Sequence, residues 1–246
     1  MSLRGESVFK FRIFEVKQDR CAMKVGTDGV LLGAWTPINE DKTILDIGTG
    51  TGLIALMLAQ RSASFIDAIE IDDAAYNQAK ENFICSPWGD RIRPFHLPLQ
   101  NFSLNAKKYD LIVSNPPYFI NAHKSESDAR NMARHTNETL TFEELINSIS
   151  LLLKPAGRFC AILPIMEGGI FIDMCERKNF FCNRITRVKT KADKPVKRML
   201  LELSMVKEEK TLSDELIILK EDGSYTENYI DLTKDFYTHY PDKGTW

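Results

Sequence analysis

The chain has 246 residues, of which 43% are hydrophobic and 27% are charged, the proportions of an ordinary soluble globular protein. A formal net charge of −2 gives no global attraction for a polyanion, and no apolar stretch is long enough to cross a bilayer. The five cysteines are scattered without a CxxC pair, so neither a disulfide framework nor a metal site is expected. Because the N-terminus also lacks a signal-peptide core, we expect a cytoplasmic protein with no membrane association and no obligatory protein partner.

Predicted strands and helices alternate along most of the sequence. Apolar alternation predicts a strand or hairpin over 8–16, and a loop running into a short apolar helix follows over 26–35. The further predicted strands are 43–47, 65–71, 91–96, 109–114, 158–163, 185–190, 199–206 and 216–219. The further predicted helices are 53–61, 74–83, 142–153, 168–178 and 225–237, and the third of these ends before a Lys154-Pro155-Ala156-Gly157 stop. This order predicts an α/β fold with a mostly parallel sheet covered by helices on both faces.

A glycine-rich turn closes the predicted strand 43–47 and reads Asp46-Ile47-Gly48-Thr49-Gly50-Thr51-Gly52. In an open α/β sheet, ligands bind beyond the carboxyl ends of the strands, and glycine lets the backbone approach them closely. The spacing differs from the G-x-G-x-x-G of dinucleotide sites, and the preceding acid suits a nucleoside cofactor that carries a cationic amino acid and no phosphate. Glu70, at the end of the next strand, is placed to accept hydrogen bonds from both ribose hydroxyls, with Asp72 as the alternative. A tight strand-to-helix connection without a ligand is the less favoured interpretation.

The second motif, Asn115-Pro116-Pro117-Tyr118, directly follows the predicted strand 109–114. The exocyclic amine of adenine is a poor nucleophile because its lone pair is delocalised into the ring. The Asn115 side-chain carbonyl and the Pro116 backbone carbonyl are acceptors for its two N–H groups, and consecutive prolines hold these acceptors in place. Tyr118 offers a flat face to a flipped-out base. The two motifs together predict N-methylation that depends on S-adenosylmethionine (SAM), with these four residues as the catalytic group.

Three further segments carry a resemblance to a known family. Residues 18–35 read QDRCAMKVGTDGVLLGAW, 133–135 read ARH and 231–237 read DLTKDFY. With the Asn-Pro-Pro-Tyr motif, they closely resemble the bacterial class I SAM-dependent methyltransferases that methylate N6 of adenine 37 in the anticodon loop of valine tRNA. The resemblance spans nearly the whole chain, and it implies a Rossmann-like class I methyltransferase fold with a seven-stranded, mostly parallel sheet. In that fold, 1–41 form an N-terminal extension packed on the core, and 42–246 form the methyltransferase domain with a C-terminal extension from about 211.

The same resemblance implies the roles of individual residues around SAM. Lys24 and Thr27 are expected near the methionine end of the cofactor. The full set of expected cofactor-binding residues is Lys24, Thr27, Asp46, Gly48, Thr49, Gly50, Gly52, Glu70, Ile71, Leu99 and Asn115. One departure concerns the stretch His96-Leu97-Pro98-Leu99-Gln100, which has no acid where this class usually has one that accepts from the cofactor's adenine amine. The backbone around Leu99 makes that contact, or Gln100 substitutes for the acid, or the affinity for the cofactor is reduced.

Two basic regions are candidates for contact with tRNA. The first, which we call the basic segment, spans 184–198 and contains Arg184, Arg187, Lys189, Lys191, Lys194, Lys197 and Arg198, opposed only by Asp193. A solvated edge strand protected by lysines is an equally weighted interpretation. The second is 119–137, a stretch long enough for a lid or substrate-binding loop. The expected substrate-binding residues are Tyr118, Arg130, Arg134, Lys189, Lys191 and Arg198.

Other functions share parts of this pattern. A protein-glutamine methyltransferase also uses Asn-Pro-Pro-Tyr, but the basic segment and the absence of a separate N-terminal helical domain count against it. A DNA adenine methyltransferase is disfavoured because no large target-recognition domain is evident. A non-catalytic RNA-binding protein on a methyltransferase fold would need neither an intact glycine turn nor an intact Asn-Pro-Pro-Tyr. The sequence therefore favours an enzyme that methylates an adenine in tRNA.

Overall fold

The computed structural model describes residues 8–104, 107–116 and 140–240. Pro117, Tyr118, Arg130 and Arg134, to which the sequence assigns catalytic and substrate-binding roles, lie outside these residues. The strands are β1 (Val8–Lys10), β2 (Glu15–Lys17), β3 (Thr43–Ile47), β4 (Phe65–Glu70), β5 (Ile92–His96), β6 (Tyr109–Ser114), β7 (Leu153–Pro164), β8 (Phe181–Lys189), β9 (Val196–Ser204) and β10 (Leu212–Ile217). The helices are α1 (Thr27–Trp35), α2 (Leu53–Arg61), α3 (Asp73–Cys85), α4 (Leu99–Phe102), α5 (Phe142–Leu152), α6 (Ile165–Glu176) and α7 (Glu227–Thr233).

One large sheet organises the described residues, with the strand order β10-β8-β9-β7-β6-β3-β4-β5. Neighbours from β7 through β6, β3 and β4 to β5 are parallel, whereas β9 is antiparallel to both β7 and β8. The predicted class of fold is confirmed: the sheet is mostly parallel and helices connect its strands. β1 and β2 form a separate antiparallel hairpin, as the pattern over 8–16 allowed.

The large sheet has eight strands, one more than the seven predicted. The added strand is β10, whose residues Leu212–Ile217 pair in parallel with Arg184–Lys189 of β8. The sequence placed a strand over 216–219 instead, because the first four residues of β10 are exposed and carry no alternation of apolar and polar side chains. Backbone pairing at the edge of the sheet, not burial, makes this segment a strand.

β7 begins five residues earlier than the predicted strand 158–163. Leu153 pairs with Tyr109 and Arg158 pairs with Leu111, so the intervening Lys154-Pro155-Ala156-Gly157 is accommodated as an irregularity within the strand. A Cβ atom on Gly157 would lie 2.9 Å from the Tyr109 carbonyl oxygen, which explains the glycine. The predicted helix stop is therefore correct, but it does not separate the helix from the strand by a loop.

The core lies on both faces of the sheet. Ile44, Leu111 and Val113 face one hydrophobic cluster, while Leu45 and Ile112 face the other, as the two-residue period of a strand requires. The first cluster includes the buried faces of α1 and α2, and the second includes the buried face of α5. Strands covered on both faces explain why 43–47 and 109–114 are nearly continuous apolar runs.

The two ends of the described chain meet in the first hydrophobic cluster. The Arg12 backbone amide donates to the Phe236 carbonyl oxygen over 2.8 Å, and Phe11 stacks on Phe14 and Tyr237.

No helix among the described residues has the length and hydropathy needed to cross a membrane.

Candidate active site

The glycine turn leaves β3 at the carboxyl edge of the sheet. Gly48, Gly50 and Gly52 have φ angles of 69°, 56° and 85°, a region that other residues rarely adopt. A Cβ atom on Gly48 or Gly50 would meet nothing within 4 Å, whereas one on Gly52 would overlap the ring of Phe83. The first two glycines therefore face open space, and the third permits close packing of α2 against α3.

Glu70, the last residue of β4, holds this turn in place. Its Oε2 atom accepts a hydrogen bond of 2.8 Å from the Gly50 amide, and its Oε1 atom accepts from the amides of Ile71 and Asp72 over 2.8 and 3.0 Å. A carboxylate has about four acceptor positions, so Glu70 keeps acceptor capacity for a ligand hydroxyl. The side chain is half-buried at the mouth of the turn.

Asp46 lies fully buried beneath the glycine turn. The Thr49 hydroxyl donates to its Oδ2 atom over 2.6 Å, while the Oδ1 atom has no hydrogen-bond partner among the described residues. Burial raises the pKa of Asp46 to about 7, against the opposing effects of the Thr49 hydroxyl and the nearby Ala55 amide. The Ala55 amide favours the ionised form electrostatically but does not reach hydrogen-bond geometry. A buried, half-satisfied carboxylate at this position favours a cation or a water molecule above it.

The Asn-Pro motif emerges next to the glycine turn. The register pairs Ile47 of β3 with Ser114 of β6, and the Ser114 hydroxyl donates to the Ile47 carbonyl oxygen over 3.0 Å. The residues that follow each strand, Gly48 and Asn115, consequently leave the sheet side by side. Pro116 is buried and Asn115 is half-buried at this edge.

A cavity of about 550 Å³ joins the two motifs, and this volume suits a nucleoside-sized ligand. Six of the predicted cofactor-binding residues line it: Gly48, Gly50, Glu70, Ile71, Leu99 and Asn115. Pro116, predicted as catalytic, lines it as well. The cofactor half and the chemistry half of the sequence pattern thus share one cavity.

The other predicted cofactor-binding residues do not line this cavity. Asp46 and Thr49 lie buried under its floor, and Gly52 packs against α3. Lys24 is exposed, and Thr27 is the first residue of α1. Asp46, Thr49 and Gly52 therefore support the shape of the turn, and direct contact of Lys24 and Thr27 with a ligand stays a prediction.

Three groups of lining residues complete the cavity, and in the sequence analysis only Gln100 among them carried a candidate role, as a substitute for the missing acid. Cys21, Ala22 and Met23 form one wall, since the segment that contains them is anchored to α3 by the Arg20 amide, which donates to Gln78 Oε1 over 3.0 Å. Leu97, Pro98, Gln100 and Asn101, around the start of α4, form a second wall, and Leu140 and Glu144, around the start of α5, form a third. A capping box formed by Thr141 and Glu144 was the one local signal for the start of α5. Nothing local showed that this start faces the glycine turn.

The basic segment reaches the same edge of the sheet. β9 runs antiparallel to β7, so its first residues lie beside the carboxyl end of β7, with Arg198 paired to Pro164. Lys189 pairs with Glu215 over 2.8 Å, and Arg198 pairs with Asp28 over 2.8 Å. The Lys191 Nζ atom donates to the Glu221 carbonyl oxygen over 3.1 Å. The structure therefore places the end of β8 and the start of β9 at the edge of the sheet that carries the cavity, and it gives the three predicted substrate-binding residues intramolecular partners.

The fold and this site define a class I methyltransferase. The protein-family model described as "Methyltransferase small domain" matches residues 24–146, which include the glycine turn, Glu70 and the Asn-Pro-Pro-Tyr motif.

Proteins similar to this chain identify a narrower family than the domain model does. A tRNA1(Val) (adenine(37)-N6)-methyltransferase of Bacteroides fragilis is 45% identical over 238 residues, covering 95% of this chain and 98% of the relative. Proteins of the same name in Flavobacterium johnsoniae and Pectobacterium carotovorum are each 47% identical, over 94% and 96% of this chain and 99% and 96% of the relative. This chain belongs to the family of tRNA1(Val) (adenine(37)-N6)-methyltransferases.

Solved structures agree on the fold. A predicted O-methyltransferase of Agrobacterium tumefaciens superimposes with a TM-score of 0.65 at 18% identity, covering 85% of this chain and 96% of that chain. A glycopeptide N-methyltransferase in complex with SAM superimposes with a TM-score of 0.54 at 13% identity, covering 74% of this chain and 100% of that chain. At such identities the likeness establishes the shared fold alone.

Proposed function

We propose that this chain transfers the methyl group of SAM to N6 of an adenine in tRNA, and that this adenine is position 37 of a valine tRNA. The observation that carries the proposal is the shared cavity, in which Asn115 and Pro116 lie beside Gly48, Gly50 and Glu70. The names of the relatives supply the tRNA and the position within it.

The residues around the cavity suit SAM. Gly48 and Gly50 present backbone without a Cβ atom, and Glu70 keeps one acceptor position for a ribose hydroxyl. A positively charged ligand above Asp46 favours the ionised form of this buried carboxyl. When bound, SAM supplies an electrophilic methyl group on a sulfonium sulfur. The apolar side chains of Ile71 and Leu99 offer surfaces for a purine ring.

Asn115 and Pro116 supply two carbonyl acceptors for the amine of the target adenine. Each acceptor takes one N–H group, which orients the amine and favours a tetrahedral nitrogen with an available lone pair. Neither acceptor takes up a proton, so the rate arises from alignment of the reactants, and the proton leaves after transfer. In the role proposed from the sequence, Tyr118 stacks on the target base, and Pro117 restricts the backbone between Pro116 and Tyr118.

The tRNA is proposed to lie across the carboxyl edge of the sheet. β8 ends and β9 begins at this edge, so Lys191 and Lys194 in the connection, and Lys197 at the start of β9, lie on the side of the molecule that carries the cavity. Lysines at such an edge neutralise backbone phosphates without reading sequence. Arg130 and Arg134 are proposed to add contacts to the substrate from the segment 119–137.

The test is methyl transfer from isotopically labelled SAM to total tRNA isolated from cells that lack this modification. Nuclease digestion followed by mass spectrometry of the nucleosides and of purified valine tRNA fragments reports both chemistry and position. We expect N6-methyladenosine at position 37 of a valine tRNA, formed at least about a hundredfold more slowly by the Asn115→Ala variant. Label in protein glutamine or in DNA adenine, with none in tRNA, would reject the proposed substrate while retaining the proposed cofactor.

A further inference from the structure

Gln100 and Glu144 meet at the wall of the cavity where the sequence lacks the usual acid. Gln100 is the second residue of α4, Glu144 is the third residue of α5, and both line the cavity. The Gln100 Nε2 atom donates a hydrogen bond of 3.1 Å to Glu144 Oε1. The two residues are 44 positions apart, so the pair exists only in the folded protein.

The chemistry of Glu144 determines which way the Gln100 amide faces. Glu144 Oε2 accepts from the Thr141 amide over 2.9 Å and from the Thr141 hydroxyl over 2.8 Å. These bonds, the backbone one first, hold the pKa of Glu144 below its ordinary value, so the group is ionised at neutral pH. An ionised carboxylate only accepts, so the Gln100 atom that faces it is the nitrogen. The Gln100 side-chain oxygen is left as an acceptor at the cavity wall.

The other acidic side chains that line the described cavity have structural tasks. Glu70 accepts from three backbone amides, and Asp72 Oδ1 accepts from the Ala75 amide at the start of α3. Gln100 also follows Leu99, near which the resemblance to class I methyltransferases places the adenine of the cofactor. An oriented amide oxygen at this position has the hydrogen-bonding property of the missing carboxylate, without its charge.

We infer that the Gln100 side-chain oxygen accepts a hydrogen bond from the exocyclic amine of the cofactor's adenine, and that Glu144 is the positioning residue that fixes the orientation of this amide. The inference rests on the proposed function in one respect, that the cavity binds an adenine nucleoside. It resolves the choice left open by the sequence in favour of Gln100. It also predicts selectivity for adenine over hypoxanthine, because hypoxanthine presents a carbonyl oxygen in place of the amine and would oppose the Gln100 oxygen.

Binding of S-adenosylhomocysteine and of its deaminated analogue, S-inosylhomocysteine, tests this inference by titration calorimetry. We expect the wild-type protein to bind the adenosyl compound about tenfold more tightly, the value of one neutral hydrogen bond. In Glu144→Gln the capping box is kept, because glutamine also serves at that position, but the Gln100 amide is free to turn. The preference for the adenosyl compound should therefore fall to about twofold or less, in Glu144→Gln and in Gln100→Ala alike, since either change loses that one bond.

The matched control is Glu143→Gln, the same chemical change one residue earlier on α5, at a side chain that pairs with Lys178 over 3.8 Å outside the cavity. It should keep the wild-type preference. An unchanged preference in Gln100→Ala would overturn the role of Gln100, and an unchanged preference in Glu144→Gln would overturn the positioning role. Failure of the wild-type protein to bind either compound would overturn the proposed cofactor as well, so the two failures are distinguishable.

Discussion

The Gly50 backbone amide donates a hydrogen bond of 2.8 Å to the Glu70 side chain, so the carboxylate at the end of β4 sets the conformation of the turn after β3. Glu70 thereby has two tasks, one in the shape of the glycine turn and one, in the proposed function, toward ribose hydroxyls. A substitution at this position should affect the protein both with and without the cofactor.

Glu70→Gln should weaken SAM binding and destabilise the glycine turn. The side-chain oxygen of the introduced glutamine accepts from the Ile71 and Asp72 amides in place of Oε1. Its side-chain nitrogen then faces the Gly50 amide, so that two donors oppose each other. An unsatisfied pair of this kind costs about 1–3 kcal/mol, so we expect a loss of SAM affinity of about fivefold or more and a lower melting temperature. Calorimetric titration and thermal unfolding measure the two effects. Asp73→Asn, at an exposed neighbouring carboxylate, is the control, and wild-type affinity in Glu70→Gln would contradict the role of Glu70.

Gly52→Ala should destabilise the protein more than the same substitution at another glycine with a similar φ angle. Gly52 has a φ angle of 85°, and a Cβ atom there would overlap the buried ring of Phe83. Gly223 has a φ angle of 89°, and a Cβ atom there would meet nothing within 4 Å. We expect Gly223→Ala to lower the free energy of unfolding by about 1–2 kcal/mol through backbone strain alone, and Gly52→Ala by about 2–4 kcal/mol.

Chemical denaturation of both glycine variants separates strain from overlap. The double variant Gly52→Ala and Phe83→Leu should lose less free energy of unfolding than the sum of the losses in the two single variants, because the smaller side chain makes room for the added methyl group. Equal losses in the two glycine variants would show that packing of Gly52 on Phe83 contributes nothing.

Asp46 should make stability depend on pH. Its pKa is raised on folding from the ordinary 3.8 to about 7, chiefly by burial. Such a carboxyl binds its proton more strongly in the folded state, so its contribution to stability is fully present below about pH 4 and is lost as the pH rises to about 7. This contribution to the free energy of unfolding is at most about 4 kcal/mol. In Asp46→Asn the free energy of unfolding should fall less between pH 5 and about pH 8 than in the wild type, and parallel profiles would contradict the raised pKa.

The same carboxyl should couple SAM binding to proton release. A positively charged ligand above Asp46 favours the ionised form and lowers its pKa in the complex. SAM affinity should therefore rise as the pH rises to about 7 and then level off, and binding at pH 6 should release protons. Calorimetry in buffers of different ionisation enthalpy measures this release. Asp46→Asn should abolish it, and release that persists in the variant would assign the proton to another group.

The sequence predicted the elements that a local pattern defines. Thr43–Ile47, Leu53–Arg61 and Tyr109–Ser114 have the bounds expected from apolar runs next to glycine or polar residues, because burial on both faces leaves that signature. Leu212–Ile217 was placed too late because its pairing with β8 is made by the backbone, beneath exposed side chains. No local pattern reports edge pairing of this kind.

Some residues of the candidate site could likewise be identified from local sequence patterns, and others could not. The glycine turn, Glu70 and Asn115 could be identified because their chemistry lies in contiguous motifs at strand ends. Glu144 could not, because its approach to Gln100 is made by the packing of α5 against α4. The basic segment shows the converse: its charges were evident, but the contacts of Lys189 with Glu215 and of Arg198 with Asp28 join separate elements.

Asn115→Ala should lower turnover by at least about a hundredfold while retaining SAM affinity within a few-fold. Loss of one oriented acceptor at a reacting group lowers the rate by about a hundredfold to a thousandfold. Single-turnover transfer to tRNA and calorimetric SAM binding separate the two quantities. Asn77→Ala, an exposed asparagine on α3, is the control, and near-wild-type turnover in Asn115→Ala would reject the proposed mechanism.

Reversing charge in the connection between β8 and β9 and at the start of β9 should weaken tRNA binding without affecting SAM. Lys189 and Arg198 are poor choices for this test, because each pairs with a carboxylate on a separate element and its loss would disturb the fold. Lys194 pairs with the neighbouring exposed Asp193, so its pairing joins no separate elements. The combined variant Lys191→Glu, Lys194→Glu and Lys197→Glu changes side chains at the edge that carries the cavity. Each phosphate contact contributes a slope of about one to the dependence of log affinity on log salt, so we expect a tenfold or greater loss of affinity and a shallower slope.

The control for this reversal is the triple variant Lys42→Glu, Lys207→Glu and Lys210→Glu. These lysines are exposed, and they lie before β3 and between β9 and β10, at the opposite edge of the sheet. Global charge changes equally in the two triple variants, so any difference in tRNA affinity reports position. Equal losses would show that tRNA responds to net charge alone, and unchanged affinity in the first variant would remove the basic segment from the tRNA-binding surface.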